Sequence, residues 1–112
     1  MPLYEKRTYA VIPGKMPEVT RLYTELGFPA LQKGGFDRYL VGYFISDTGP
    51  LHQLIHLWRF ADDADRRAFW KAVYADEGFM AFVPHIRPLL QAQEVQLLNP
   101  APWSPQDRFP RA

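Results

Sequence analysis

The sequence predicts an α+β domain with elements in the order β-α-β-β-α-β, and three observations carry that prediction. Four runs rich in β-branched and aromatic residues alternate with two stretches whose apolar residues recur at helical spacing. Proline and glycine mark the joins between them. The two middle strands are separated only by Ser46-Asp47-Thr48-Gly49-Pro50, a loop of hairpin length.

The first strand spans residues 3–12 and ends at Pro13-Gly14, a turn signal. Pro17 suits the first position of a helix, where a missing N–H is no loss. Val19, Leu22, Tyr23 and Leu26 then form one apolar stripe, with Gly27 and Pro29 expected to end the helix. Residues 28–35 read as a short irregular or helical connection. The second strand is expected over 38–45 and the third over 51–60. Asp62 is a good helix cap with Asp65 three residues on, as in a capping box. Phe69, Trp70, Val73 and Tyr74 make the buried stripe of the second helix. Glu77-Gly78 is expected to interrupt it, and residues 79–83 read as one more helical turn before Pro84. The last strand covers 91–98.

This order is the split βαβ, ferredoxin-like pattern: a four-stranded antiparallel sheet with two helices on one face. The other face is then expected to be polar, and it is not. On the third strand His52, Leu54, His56, Trp58 and Phe60 alternate with Leu51, Gln53, Ile55, Leu57 and Arg59, so both sides are substantially apolar. Packing that face on a second copy resolves the conflict, and a homodimer is the expected state.

The 112 residues make one domain, 1–99, followed by a tail, 100–112. The tail has prolines at 100, 102, 105 and 110, which exclude regular structure. Its Trp103 and Phe109 point to packing on the body or on the partner. A net charge of +1 without like-charged blocks argues against broad attraction to nucleic acid or membrane. Absence of cysteine excludes disulfides, thiolate catalysis and cysteine-held metal centres. No secretory signal opens the chain, no apolar run nears the roughly 20 residues that span a bilayer, and a cytoplasmic location is expected.

Several motifs together resemble the NIPSNAP family. They are Arg7-Thr8-Tyr9 followed by Pro13-Gly14-Lys15, then Val41-Gly42-Tyr43-Phe44 and Asp47-Thr48-Gly49-Pro50-Leu51. His56-Leu57-Trp58-Arg59-Phe60, Asp63-Ala64-Asp65-Arg66-Arg67 and Leu97-Leu98-Asn99-Pro100 complete the series. The resemblance covers nearly the whole chain and implies a dimeric α+β barrel, a fold shared with small cofactor-free monooxygenases. It implies no single reaction. Animal members carry additional N-terminal sequence and are associated with mitochondria and protein contacts, whereas this chain resembles the single-domain bacterial type.

Candidate chemistry centres on His56. His52 and His56 lie four residues apart on a strand, roughly 13 Å, too far to chelate one ion, and His85 lacks a carboxylate partner; no metal is expected. His56 beside Trp58 in an apolar setting is the catalytic candidate, as general base or hydrogen-bond donor, against a purely structural histidine. Arg7 and Tyr9 share a face with Glu5 beside them, and Arg59 projects from the face opposite His56. Either arginine could hold a substrate carboxylate in its fork, or simply pair across the sheet. Arg66 and Arg67 read as local partners of Asp63 and Asp65. Tyr39, Tyr43, Trp58, Phe69 and Trp70 are expected around the space between sheet and helices, as core or as walls for a planar substrate.

The two serines lack a nucleophile elbow, which argues against serine nucleophilic catalysis. No glycine-rich phosphate loop follows a strand, which argues against nucleotide-dependent chemistry. With the resemblance to cofactor-free enzymes, no bound cofactor is expected. Two functions stay open. One is an enzyme acting without a bound cofactor on a small apolar or aromatic molecule, monooxygenase- or isomerase-like. The other is a non-catalytic dimeric binding or protein-interaction module.

Overall fold

The computed structural model of the chain describes residues 2–105. Four strands, β1 (Leu3–Val11), β2 (Leu40–Ile45), β3 (Gln53–Phe60) and β4 (Leu90–Leu98), form one antiparallel sheet in the order β2-β3-β1-β4. Helical segments α1 (Met16–Leu22), α2 (Phe28–Lys33), α3 (Asp63–Ala75) and α4 (Glu77–Ile86) occupy the two β-α-β crossovers. This is the ferredoxin-like α+β arrangement expected from the sequence.

Strand period two decides what lies under the helices. Glu5, Arg7 and Val11 of β1 and Leu54, His56, Trp58 and Phe60 of β3 are buried. Register pairs Arg7 with His56 and Glu5 with Trp58, so polar and aromatic groups interleave on one surface. Beneath α1 and α4, Val11, Val19, Leu22, Leu54, Phe82 and Ile86 form one cluster; beneath α3, Leu31, Leu40, Trp58, Phe60, Phe69 and Val73 form a second. His56 lies between the two.

The first helical stretch departs from expectation in an informative way. It does not end at Gly27 and Pro29. A π-helical turn, Tyr23–Gly27, closed by Phe28 N–H donating to Tyr23 O, leads straight into α2. Buried positions therefore run Val19, Leu22, Gly27, Leu31, whereas strict α spacing would bury Leu26, which is exposed. Gly27 serves close packing rather than termination: a Cβ there would meet the Phe82 ring at 2.7 Å.

Other boundaries shift slightly. A 3₁₀ turn at Phe36–Tyr39 replaces the expected start of β2, and His52, at φ 59°, precedes β3 rather than joining it. The Asp62 cap forms, its side chain accepting from Asp65 N–H at 2.8 Å. The second crossover breaks at Asp76, not at Glu77-Gly78, because extended Asp76 caps α4 by accepting from Phe79 N–H at 2.8 Å. Helix α4 then continues through Pro84 to Ile86.

The helix-free face carries Ile55, Leu57 and Arg59, half-buried, and Phe44, which is 52% exposed. In the tail, Trp103 is 85% exposed on the single chain, and Phe109 lies outside the described residues. Among the described residues no helix is long and apolar enough to cross a membrane.

Candidate functional site: a cleft ending at His56

The site is built from four elements. On β1 the alternation Glu5, Arg7, Tyr9 sends three polar side chains to the helix side. Strands β3 and β2 add His56, Trp58 and Tyr43, which register places opposite His56. Trp70 and Tyr74 come from α3, and Phe79, Phe82, Val83 and Ile86 from α4. Between α4 and strands β1 and β4, Arg7, Tyr9, Tyr74, Phe79, Phe82, Val83 and Ile86 line a cleft of about 300 Å³. It shares Arg7, Tyr9, Tyr23, Tyr74 and Phe79 with a recess of about 40 Å³ that His56, Tyr43, Trp58 and Trp70 also line.

His56 is ringed by aromatic groups: Tyr43 at 4.4 Å, Tyr9 at 4.7 Å and Tyr23 at 5.5 Å between ring centroids. Three polar atoms there, Tyr43 Oη, His56 Nε2 and Trp58 Nε1, are buried without a hydrogen-bond partner. Leaving such a group unpaired costs about 1–3 kcal/mol, so three together mark a place where a ligand or water belongs. Burial, with Arg7 nearby, lowers the His56 pKa to about 3, and the imidazole is neutral at physiological pH. Burial likewise raises the tyrosine hydroxyls, Tyr9 to about 12, with Tyr23 and Tyr43 also well above their ordinary value. The end of the cleft thus presents neutral hydrogen-bonding groups beside the Arg7 guanidinium.

Behind it stands a charged frame. Buried Glu5 accepts at Oε1 from Trp70 Nε1 at 3.0 Å and from Arg66 Nη1 at 3.1 Å, and its Oε2 lies 3.6 Å from Arg7 Nε. The Arg7 guanidinium sits over the Trp70 ring, 4.2 Å from its centroid. Gln93, with its amide oxygen turned to Arg7, accepts from Nε at 3.2 Å and from Nη2. This clamp fixes the walls of the recess.

The structure brings six of the sequence candidates together here: Arg7, Tyr9, Tyr43, His56, Trp58 and Trp70. Two stand elsewhere. Arg59 is on the opposite sheet face, 5.9 Å from the Tyr4 ring centroid, because it is one residue out of phase with Trp58. Tyr39 packs on Phe60 and Phe69 and donates to Asp65 at 3.4 Å, tying the 3₁₀ turn to the start of α3. Sequence reasoning missed Tyr23, Tyr74 and Gln93. It also read Arg66 as a local partner of Asp63, which it is at 3.0 Å, without seeing its reach to Glu5. Among the described residues no three His, Asp or Glu side chains are grouped to hold a metal ion.

The motifs behind this cleft are those of a family whose model matches residues 4–105. The chain belongs to the NIPSNAP family. Protein NipSnap homolog 1 of Danio rerio is 30% identical over 103 residues, 92% of this chain and 36% of that protein. Human NipSnap homolog 2 is 29% identical over the same length, 35% of that protein. The chain therefore spans about a third of these relatives. Among solved structures, a NIPSNAP family protein from Agrobacterium tumefaciens superimposes with a TM-score of 0.85 at 32% identity, covering 93% of this chain and 92% of that one. An antibiotic biosynthesis monooxygenase shares the fold at a TM-score of 0.61 and 22% identity, covering 89% of this chain and 99% of that one. The NIPSNAP domain here is thus the ferredoxin-like unit, with its cleft between sheet and helices.

Proposed function

We propose that this NIPSNAP domain binds a small, flat, largely apolar carbonyl compound in the cleft, with its oxygen in the His56 recess, and activates it without a bound cofactor. The observation that carries this reading is the trio of buried, unpartnered polar atoms on Tyr43, His56 and Trp58 at the end of an apolar-walled cavity. A carbonyl oxygen accepts from O–H and N–H, and all three residues supply donors when neutral. The low His56 pKa suits hydrogen-bond donation by imidazole rather than imidazolium. Enolisation passes a proton from the carbon beside the carbonyl to water at the open end of the cleft and builds charge on that oxygen, and donors already in place lower its cost. In an isomerase-like reaction the proton returns to a different carbon. In a monooxygenase-like reaction the methylene that was deprotonated becomes a carbonyl; one atom of dioxygen stays on that carbon and the other leaves as water with the methylene's two hydrogens, so no external reductant is needed.

A cavity of about 300 Å³ is twice the ~150 Å³ that holds a benzene molecule, which suits a two-ring ligand. The bicyclic ketone 2-acetonaphthone is therefore a fitting probe. It is expected to quench Trp58 and Trp70 fluorescence on binding and to exchange its methyl protons for deuterium faster with protein than without. No quenching up to its solubility limit would overturn the pocket. Binding without faster exchange would favour the second reading, a non-catalytic binding module. One observation supports that alternative: imidazole with a pKa of about 3 is a weak proton acceptor, and Glu5 is already engaged.

The working form in this reading is a homodimer. Phe44, Ile55 and Leu57 give the helix-free face an apolar strip that a second copy would cover.

A further inference from the structure

We infer that the ligand of the cleft is an acid, with a carboxylate held at the mouth by Arg87 and an apolar body running inward. This rests on the pocket reading above and adds the charge of the ligand. The cleft is lined by two arginines, Arg7 and Arg87, and among the described residues by no aspartate or glutamate.

The two cations differ in what they can do. Arg7 is committed: Glu5, Gln93 and the Trp70 ring hold it. Arg66 shares Glu5 with Arg7, and Arg67 pairs with Asp63 on the exposed side of α3, so neither adds a free cation to the cleft. Arg87, exposed at the 3₁₀ turn Arg87–Leu89 after α4, has no ion pair or side-chain hydrogen bond among the described residues. Its guanidinium is available to a ligand. Between it and the recess the wall is apolar, from Val83, Ile86, Phe82 and Phe79. A molecule matching that surface has a carboxylate at one end, two rings in the middle and a neutral oxygen at the other. Arginine's planar fork suits a carboxylate, and an otherwise unpaired cation beside apolar walls gives that contact strength.

The test compares 2-acetonaphthone with 6-acetyl-2-naphthoate, the same ketone bearing a carboxylate at its far end. Each is titrated by tryptophan quenching into wild type, Arg87→Gln and the exposed control Arg67→Gln. The acid is expected to bind wild type at least about tenfold more tightly, as one charge-assisted contact allows. Arg87→Gln is expected to bring the acid down to the affinity of the ketone, and Arg67→Gln to preserve the preference. Equal binding of both probes to wild type would overturn the acid and leave the pocket standing. A preference that survives Arg87→Gln, or that Arg67→Gln also removes, would overturn the assignment to Arg87. Failure of both probes to bind would overturn the pocket, and this inference with it.

Discussion

Tyr43 and His56 face each other across the β2–β3 register with ring centroids 4.4 Å apart, and neither Tyr43 Oη nor His56 Nε2 has a partner. Two buried polar atoms side by side without a protein partner stand open to a ligand or to water. Removing the hydroxyl tests what it is for. Tyr43→Phe is expected to leave thermal stability equal or raised by up to about 1 kcal/mol, since an unsatisfied group is deleted. The same variant is expected to bind 2-acetonaphthone about tenfold more weakly, by fluorescence titration. Lost stability with unchanged binding would make the hydroxyl structural.

His56 should imprint itself on the pH dependence of stability. Its pKa is about 3 in the fold against 6.5 ordinarily, so below pH 6.5 the unfolded chain takes up a proton that the folded one refuses. Stability is therefore fully present above pH 6.5 and falls with pH through the window toward 3, at about 1.4 kcal/mol per pH unit. Denaturant melts are expected to show wild type losing about 2 kcal/mol between pH 6.5 and 5 that His56→Gln does not lose. Parallel pH profiles would mean that the imidazole is not buried neutral.

Glu5 is the keystone of the charged frame. Glu5→Gln keeps an acceptor for Trp70 but leaves Arg7 buried without its counter-charge. About 3 kcal/mol of destabilisation is expected in urea unfolding, the usual cost of breaking one side of a buried pair. A loss under 0.5 kcal/mol would show the frame to be solvated.

Gly27 tests the π turn. Gly27→Ala places a methyl against the Phe82 ring, and overpacking of this kind costs about 1–3 kcal/mol. Phe82→Leu in the same chain is expected to recover part of that loss, read as coupling in a double-mutant cycle. Additive effects would mean the two residues do not meet.

On the open sheet face, Leu57→Asp is expected to shift the protein from dimer to monomer in light scattering while preserving the circular-dichroism signature of the fold. A monomeric wild type at micromolar concentration would remove the case for a covered face.

Much of this architecture was legible in the sequence because period two and period 3.6 are written into residue choice. Glu5, Arg7 and Tyr9 had to share a face, as did His56 and Trp58, and six of the eight site candidates converge on that account. The misses have physical causes. A π turn adds one residue to the helical count, and no composition signal announces it; that moved Leu26 outward, while Tyr23, already on the inward stripe, reads in the sequence as plain core. Arg66 was assigned to nearby Asp63 because local pairs are visible in sequence, whereas its contact with Glu5, 61 positions away, depends on how α3 crosses the sheet. Gln93 enters through β4 register, set by tertiary pairing with Tyr9.

Whether a ligand's oxygen sits among Tyr43, His56 and Trp58 is most directly read from the infrared carbonyl band of ¹³C-labelled 2-acetonaphthone bound to the protein. The band is expected below its position in hydrocarbon solvent, and to move back toward that position in Tyr43→Phe and in His56→Phe. A bound ketone whose band stays at the hydrocarbon position in wild type would place the oxygen away from the recess and contradict the proposed site.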